Sequence, residues 1–248
     1  MYLNPEVHPY STVLYTPLNL YTVFAICKWL GFNYIYDVHA IYIVGRCVSF
    51  LCVIGTIWYV DLIVKIYSKD KMIRLQSIFV FLLIISGHAY AFRPDSMKIL
   101  FFVQFVYYFI QYFFYTQTKL DLFCMILFAN LSFLAKQDVV VYVMLVLVIN
   151  FLLQRNLKSV FVVAVTGITF AINIFILYLV LGQYCLAHLF SFNLQVISNI
   201  ESSYNLLVAL LNTTRLLPIY CLLIYNLYKI KNDSNAAFLK SIIITSLA

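Results

Sequence analysis

Val160-Phe161-Val162-Val163-Ala164-Val165-Thr166-Gly167-Ile168-Thr169-Phe170-Ala171-Ile172-Asn173-Ile174-Phe175-Ile176-Leu177-Tyr178-Leu179-Val180-Leu181 is an apolar stretch without a charged residue or a proline. A helix of about 20 apolar residues matches the thickness of a bilayer core. Backbone polar groups in lipid must be paired within their own element, which leaves helices or a closed barrel. Barrel strands alternate apolar and polar residues. This run is continuous, so it reads as a membrane helix.

Similar runs lie on both sides of it, at residues 41–64, 75–91, 97–115 and 206–227. Two shorter ones, 122–135 and 139–153, flank Lys136-Gln137-Asp138. One helix across both would be far too long for a single crossing, so they read as two short spans joined by a buried hairpin. The run at 15–30 is short and holds Pro17, Asn19 and Lys28, which suits a helix lying along the interface. The expected fold is all-α: a polytopic transmembrane helical bundle of about seven spans plus an interfacial helix. It forms one transmembrane domain over 1–248, with 1–40 a partial outer loop carrying the interfacial helix and 41–248 the bundle. The stretch from Ser241 to Ala248 opens another apolar run, so the bundle is expected to be incomplete at that end.

Composition agrees. The chain of 248 residues is 65% hydrophobic and 10% charged, against about 25% charged in a typical soluble domain. Its mean hydropathy is +0.96. The net charge of +7 does not point to nucleic acid, because the basic residues fall in short clusters between apolar runs. Tyr and Phe number 21 and 22, so no single aromatic residue is singled out. The six cysteines show no C-x-x-C pair and read as small core residues. The polar start, Met1-Tyr2-Leu3-Asn4-Pro5-Glu6, shows no signal-peptide pattern.

The loops sort by charge. Lys65, Lys69, Lys71, Arg74, Lys119, Arg155, Lys158, Lys229, Lys231 and Lys240 fall on one side, ten of the sixteen basic residues. That side is therefore expected to be cytoplasmic. The other side collects His8, His39, His88 and His188, the acids Glu6, Asp37, Asp95, Asp138 and Glu201, and Arg46, Arg93, Lys98 and Lys136. Longer outer loops account for the acids. They account less well for basic residues placed against the orientation rule. Ionisable groups at or below a membrane surface are costly and point to a polar site.

Four stretches carry candidate chemistry. In Phe92-Arg93-Pro94-Asp95-Ser96, Pro94 fixes a turn and Asp95 can cap the helix that follows. Arg93 is then either a plain interfacial arginine or a guanidinium placed to grip a phosphate. In Leu134-Ala135-Lys136-Gln137-Asp138, Lys136 either pairs with Asp138 or reaches a lipid phosphate or pyrophosphate. His8-Pro9-Tyr10 leads through Tyr15-Thr16-Pro17-Leu18 to Leu30-Gly31, and Gly45-Arg46 opens the next span. His188-Leu189-Phe190-Ser191-Phe192-Asn193 is either a connecting helix or the cover of a cleft. No H-x-x-x-H or H-x-x-E spacing supports a metal site made by side chains alone. No P-loop, glycine-rich nucleotide motif or G-x-S-x-G occurs.

The order of these features resembles the membrane glycosyltransferases of the GT-C fold. It runs from a Pro-Tyr…Tyr-x-Pro-Leu outer segment through a short helix ending in Leu-Gly and a Gly-Arg opening a span. An outer Arg-Pro-Asp and a Lys-Gln hairpin follow. The likeness is to bacterial members similar to dolichyl-phosphate-mannose protein mannosyltransferases and aminoarabinose lipid A transferases, and it covers residues 8–204. It implies an inverting transferase in the cell membrane. The donor would be a polyprenyl-phosphate sugar and the acceptor a lipid, glycan or protein on the extracytoplasmic face. It also implies basic residues, and in some members a divalent metal, that hold the departing phosphate. The phosphate- or substrate-binding candidates are Arg93, Lys136, Arg46, Asp138 and His188. The family's catalytic acid is expected upstream of Met1, with Glu6 and Asp95 the acids available here. The alternatives are a transporter or flippase, which would place its charges near the midplane, and a non-catalytic membrane subunit.

Overall fold

The computed structural model describes residues 18–32, 37–89 and 94–181, and every regular element among them is helical. The order is α1 (Leu18–Trp29), α2 (Val38–Tyr67), α3 (Lys71–Ala89), α4 (Pro94–Phe114), α5 (Lys119–Ala135), α6 (Val139–Gln154) and α7 (Leu157–Leu181). Each expected run within the described residues is a helix, and Lys136-Gln137-Asp138 is a tight connection between two of them. The run at 206–227 lies outside the described residues.

Local chemistry sets the helix ends. Gly31, at φ 81, closes α1: its N–H donates to the Lys28 carbonyl at 3.1 Å, and the Phe32 N–H donates to that of Cys27 at 2.9 Å. This is a glycine-terminated Schellman turn, which only a residue free of Cβ adopts cheaply. Asp70 caps α3 by accepting from the Met72 N–H at 2.8 Å. Pro94 is the first residue of α4, where its missing N–H loses nothing. Thr118 and Asp121 form a reciprocal capping box at α5. Asn156 accepts from the Ser159 N–H at 2.8 Å and starts α7.

α4 is the central helix and pairs most extensively with α5 and then α2. Its Phe105, Phe109 and Ile110 are fully buried, packed in one core with Met125, Ala129 and Phe133 of α5. Val139, Val143 and Leu147 of α6, and Val162 and Phe170 of α7, complete that core. Gly55 lets α2 approach α4: a Cβ there would stand 3.0 Å from Leu100 Cδ1. Polar pairs join the remaining helices. Asn130 of α5 donates to Thr169 Oγ1 at 2.9 Å and accepts from Asn173 Nδ2 at 2.5 Å, both on α7. Asn150 of α6 donates to Ser159 Oγ at 3.2 Å.

Among the described residues, three helices are long and apolar enough to cross a membrane: His39–Tyr67, Asp95–Phe114 and Leu157–Val180. Two of them present bulky apolar side chains outward, including Phe50, Leu51 and Trp58 on α2 and Ile168, Phe175 and Leu179 on α7. An outer surface of this kind is compatible with lipid as its solvent.

α2 sets the levels of the bundle. Cys52 packs with Met97 of α4 and Ala135 of α5, while Ile63, Ile66 and Tyr67 pack against the core around Phe105 and Phe109. The part of α2 before Cys52 therefore extends roughly 15 Å past the start of α4. α1 packs antiparallel along this extension, with Val23 and Cys27 against Val44 and with Leu18 at the level of Cys52.

Candidate functional site

The N-terminus of α4 and the α5–α6 hairpin meet at one end of the bundle, and four charged side chains converge there. Lys136 Nζ donates to Asp95 Oδ1 at 2.7 Å and lies 3.8 Å from Asp138 Oδ2. Lys98 Nζ lies 3.3 Å from Asp95 Oδ1 and 3.1 Å from Asp138 Oδ2. Each lysine thus touches both aspartates, and among the described residues the group is electrically balanced. Ser132 of α5 adds a neutral tie by donating to the Lys98 carbonyl at 3.1 Å.

The chain builds this group simply. Asp95 and Lys98 are three residues apart on α4, one turn of a helix, so they face the same way. Lys136 ends α5 and Asp138 precedes α6, so a three-residue turn presents both towards α4. The side chains of Asp95, Lys98 and Lys136 are 15%, 17% and 18% exposed, while that of Asp138 is 42% exposed. Asp138 Oδ1 is nevertheless a buried acceptor without a hydrogen-bond partner among the described residues. The N-terminal extension of α2 stands beside this end, so the group lies well below the tip of the bundle.

Two readings are refined by this geometry. Asp95 lies inside the first turn of α4 rather than before it, because the helix begins at Pro94, and its carboxylate is turned to the two lysines. Lys136 takes Asp95 as its shorter contact, and Asp138 is held more closely by Lys98. Of the phosphate- or substrate-binding candidates, Lys136 and Asp138 are brought together. Arg46 is placed elsewhere: it lies exposed on α2, donates to the Tyr42 hydroxyl at 2.8 Å and sits 4.3 Å from the centre of that ring. Arg93, His188 and Glu6 lie outside the described residues.

A divalent metal does not fit this end of the bundle on the described residues. It offers two carboxylates, both already against ammonium groups, and no set of three His, Cys, Asp or Glu side chains gathers anywhere among the described residues. Asp95 is likewise poorly placed as a free base, since Oδ1 faces two ammonium groups.

Reasoning from the sequence did not assign a role to Lys98. Its position one turn after Asp95, in a stretch otherwise opening an apolar run, was the available signal. It also passed over Asp61, an acid within the apolar run at 41–64. Asp61 receives Arg74 in a two-pronged pair at the other end of the bundle, Nε to Oδ1 at 2.8 Å and Nη2 to Oδ2 at 2.6 Å. An acid in such a run requires a partner, and a planar guanidinium supplies two donors at once.

The described residues thus form a helical bundle with three helices of membrane-crossing length and, among them, a balanced charge group at one end. No family model, no curated protein and no solved structure matches it.

Proposed function

We propose that this chain belongs to a multi-pass membrane glycosyltransferase that takes a sugar from a polyprenyl-phosphate donor. Transfer would go to an extracytoplasmic lipid, glycan or protein by inverting attack. The observation that carries this reading is the meeting of two separated motifs. Asp95 of Arg-Pro-Asp and Lys136 of the Lys-Gln hairpin stand 2.7 Å apart, although they are 41 residues apart in sequence. The remaining support is topological. In the described part, Lys65, Lys69, Lys71, Arg74, Lys119, Arg155 and Lys158 belong to the end opposite this group, which the orientation rule assigns to the cytoplasm. This reading takes α2 to α7 as six spans, three of which have membrane-crossing length and apolarity by themselves, with α1 beside them on the outer side. With the run at 206–227, which lies outside the described residues, the reading has about seven spans.

In this reading the lysine-bearing end receives the phosphate of the donor. The reaction breaks the bond between the sugar and the phosphate oxygen. Charge builds on that oxygen as the acceptor hydroxyl attacks from the opposite face. A fixed ammonium beside the departing phosphate stabilises this charge, and a recessed site strengthens the interaction by limiting water. This reading assigns that role to Lys136, with Arg93 in the adjoining Arg-Pro-Asp as its proposed companion.

The test is transfer of radiolabelled sugar from a polyprenyl-phosphate donor by membranes containing the protein. Arg93→Ala and Lys136→Ala should each abolish transfer while leaving insertion intact. Normal transfer by both variants would remove the site assignment. One observation favours a second reading, a non-catalytic membrane subunit: both lysines of the group already have carboxylate partners that fasten the hairpin to α4. That reading expects both variants to change assembly with a partner or thermal stability, without sugar transfer by the wild type.

A further inference from the structure

The lysines of the charge group are not equivalent. Lys98 and Asp95 belong to the same helical turn, so their pair survives any movement of the hairpin. Lys98 also bridges to Asp138 at 3.1 Å. Lys136 stands on the connecting turn as the C-cap of α5, its N–H donating to the Ser132 carbonyl at 3.0 Å, and its ammonium lies 2.7 Å from Asp95 Oδ1 and 3.8 Å from Asp138 Oδ2. If Lys98 were absent, two carboxylates would face Lys136 alone, and their combined charge would hold it. With Lys98 present, one of these two negative charges is already balanced, and their hold on Lys136 is weaker.

We infer that Lys98 is the fixed counter-ion that allows Lys136 to leave Asp95 for an incoming phosphate group. This rests on the phosphate-holding reading of Lys136 given above and adds to it a positioning role for Lys98. On phosphate binding, Lys136 changes partner while Lys98 keeps hold of both aspartates. Asp138 is then a brake, since its carboxylate competes with the phosphate for the same ammonium groups. No bond is made or broken in the exchange. The same chemistry would admit a lipid phosphate or free inorganic phosphate.

The experiment uses the full chain, purified in a maltoside detergent that contains no phosphate. Binding of a short-chain isoprenyl phosphate and of inorganic phosphate is measured by calorimetry. Tighter binding of the isoprenyl compound assigns the site to a lipid phosphate, and equal binding assigns it to the free anion. Either outcome supports a phosphate site. Lys98→Met should weaken binding by about tenfold, because Lys136 is then retained by two carboxylates. Asp138→Asn alone should tighten binding by about threefold. The double variant Lys98→Met/Asp138→Asn should return to within about threefold of the wild type. A purely structural Lys98 predicts the opposite order, with the double variant at least as weak as Lys98→Met. That order, or wild-type affinity in Lys98→Met, overturns the inference while leaving phosphate binding in place. If Lys98→Met does not stay monodisperse, Asp138→Asn decides alone, and failure to tighten overturns the proposal. A wild type that binds neither probe removes the phosphate reading and this inference together.

Discussion

At the scale of single residues, the clearest energetic consequence concerns Asp95. Replacing it with Asn leaves Lys98 and Lys136 sharing the single carboxylate of Asp138, so one partly buried ammonium loses its counter-charge. Removing one partner of such a pair costs about 3 kcal/mol or more, well above the effect of an exposed ion pair. Asp95→Asn should therefore lower the midpoint of thermal unfolding in detergent, and neutralising Lys136 together with Asp95 should recover much of the loss. An unchanged midpoint in Asp95→Asn would mean that the four charges are solvated rather than coupled. At the opposite end, Arg74→Lys should behave almost like Arg74→Ala. The paired contacts to Asp61 use the planar fork of a guanidinium, which an ammonium cannot reproduce. Protease susceptibility of the α2–α3 connection reads this directly, and full protection in Arg74→Lys would argue against the fork. The residues at both ends were visible in the sequence, but their pairings were not. Lys136 has two aspartates within reach, and only the placement of α4 beside the hairpin selects Asp95 for the short contact.

At the scale of helices, the apolar runs located the elements and the polar residues beyond them defined their ends. The run at 41–64 becomes Val38–Tyr67 because Lys65 and Tyr67 continue the helix until the backbone turns extended at Ser68. Helix ends follow capping and backbone geometry rather than hydropathy, which is why the composition of a run does not mark them. The contacts between helices were the least legible part. Asn130 and Asn173 could be recognised as groups needing partners in an apolar setting, but their mutual contact depends on how α5 and α7 are turned. Asn130→Leu should cost about 1 kcal/mol, since hydrogen bonds between membrane helices are individually modest. The loss should appear as easier separation of α7 in a split-chain association assay. Equal association would show that apolar packing around Phe133 and Phe170 is sufficient. Gly55→Leu should be more disruptive, because it adds bulk where α2 already stands within contact of Leu100.

At the scale of the whole molecule, the testable property is orientation. A cysteine introduced at Lys69 should react with a membrane-impermeant thiol reagent only after the cytoplasmic side is opened. One introduced at Asp37 should react in intact cells. These assays require a background in which the exposed native Cys47 is replaced. The reverse pattern would invert the bundle and move the proposed site to the cytoplasm. The all-helical architecture was legible because lipid as a solvent leaves so few choices for the backbone. The long extension of α2 was not, because a hydrophobic run does not reveal where neighbouring helices stop.

The balanced charge group also bears on how the chain enters a bilayer during synthesis. α4 carries Asp95 and Lys98, while the hairpin carries Lys136 and Asp138, so each segment brings one charge of either sign. Each can pair internally before the other has emerged, and neither has to wait in the translocation machinery with an uncompensated charge. Assembly then adds to these pairs the contacts from Lys98 to Asp138 and from Lys136 to Asp95. An arrangement with both lysines on α4 and both aspartates on the hairpin would have the same final sum. It would expose two like charges to lipid in every nascent chain.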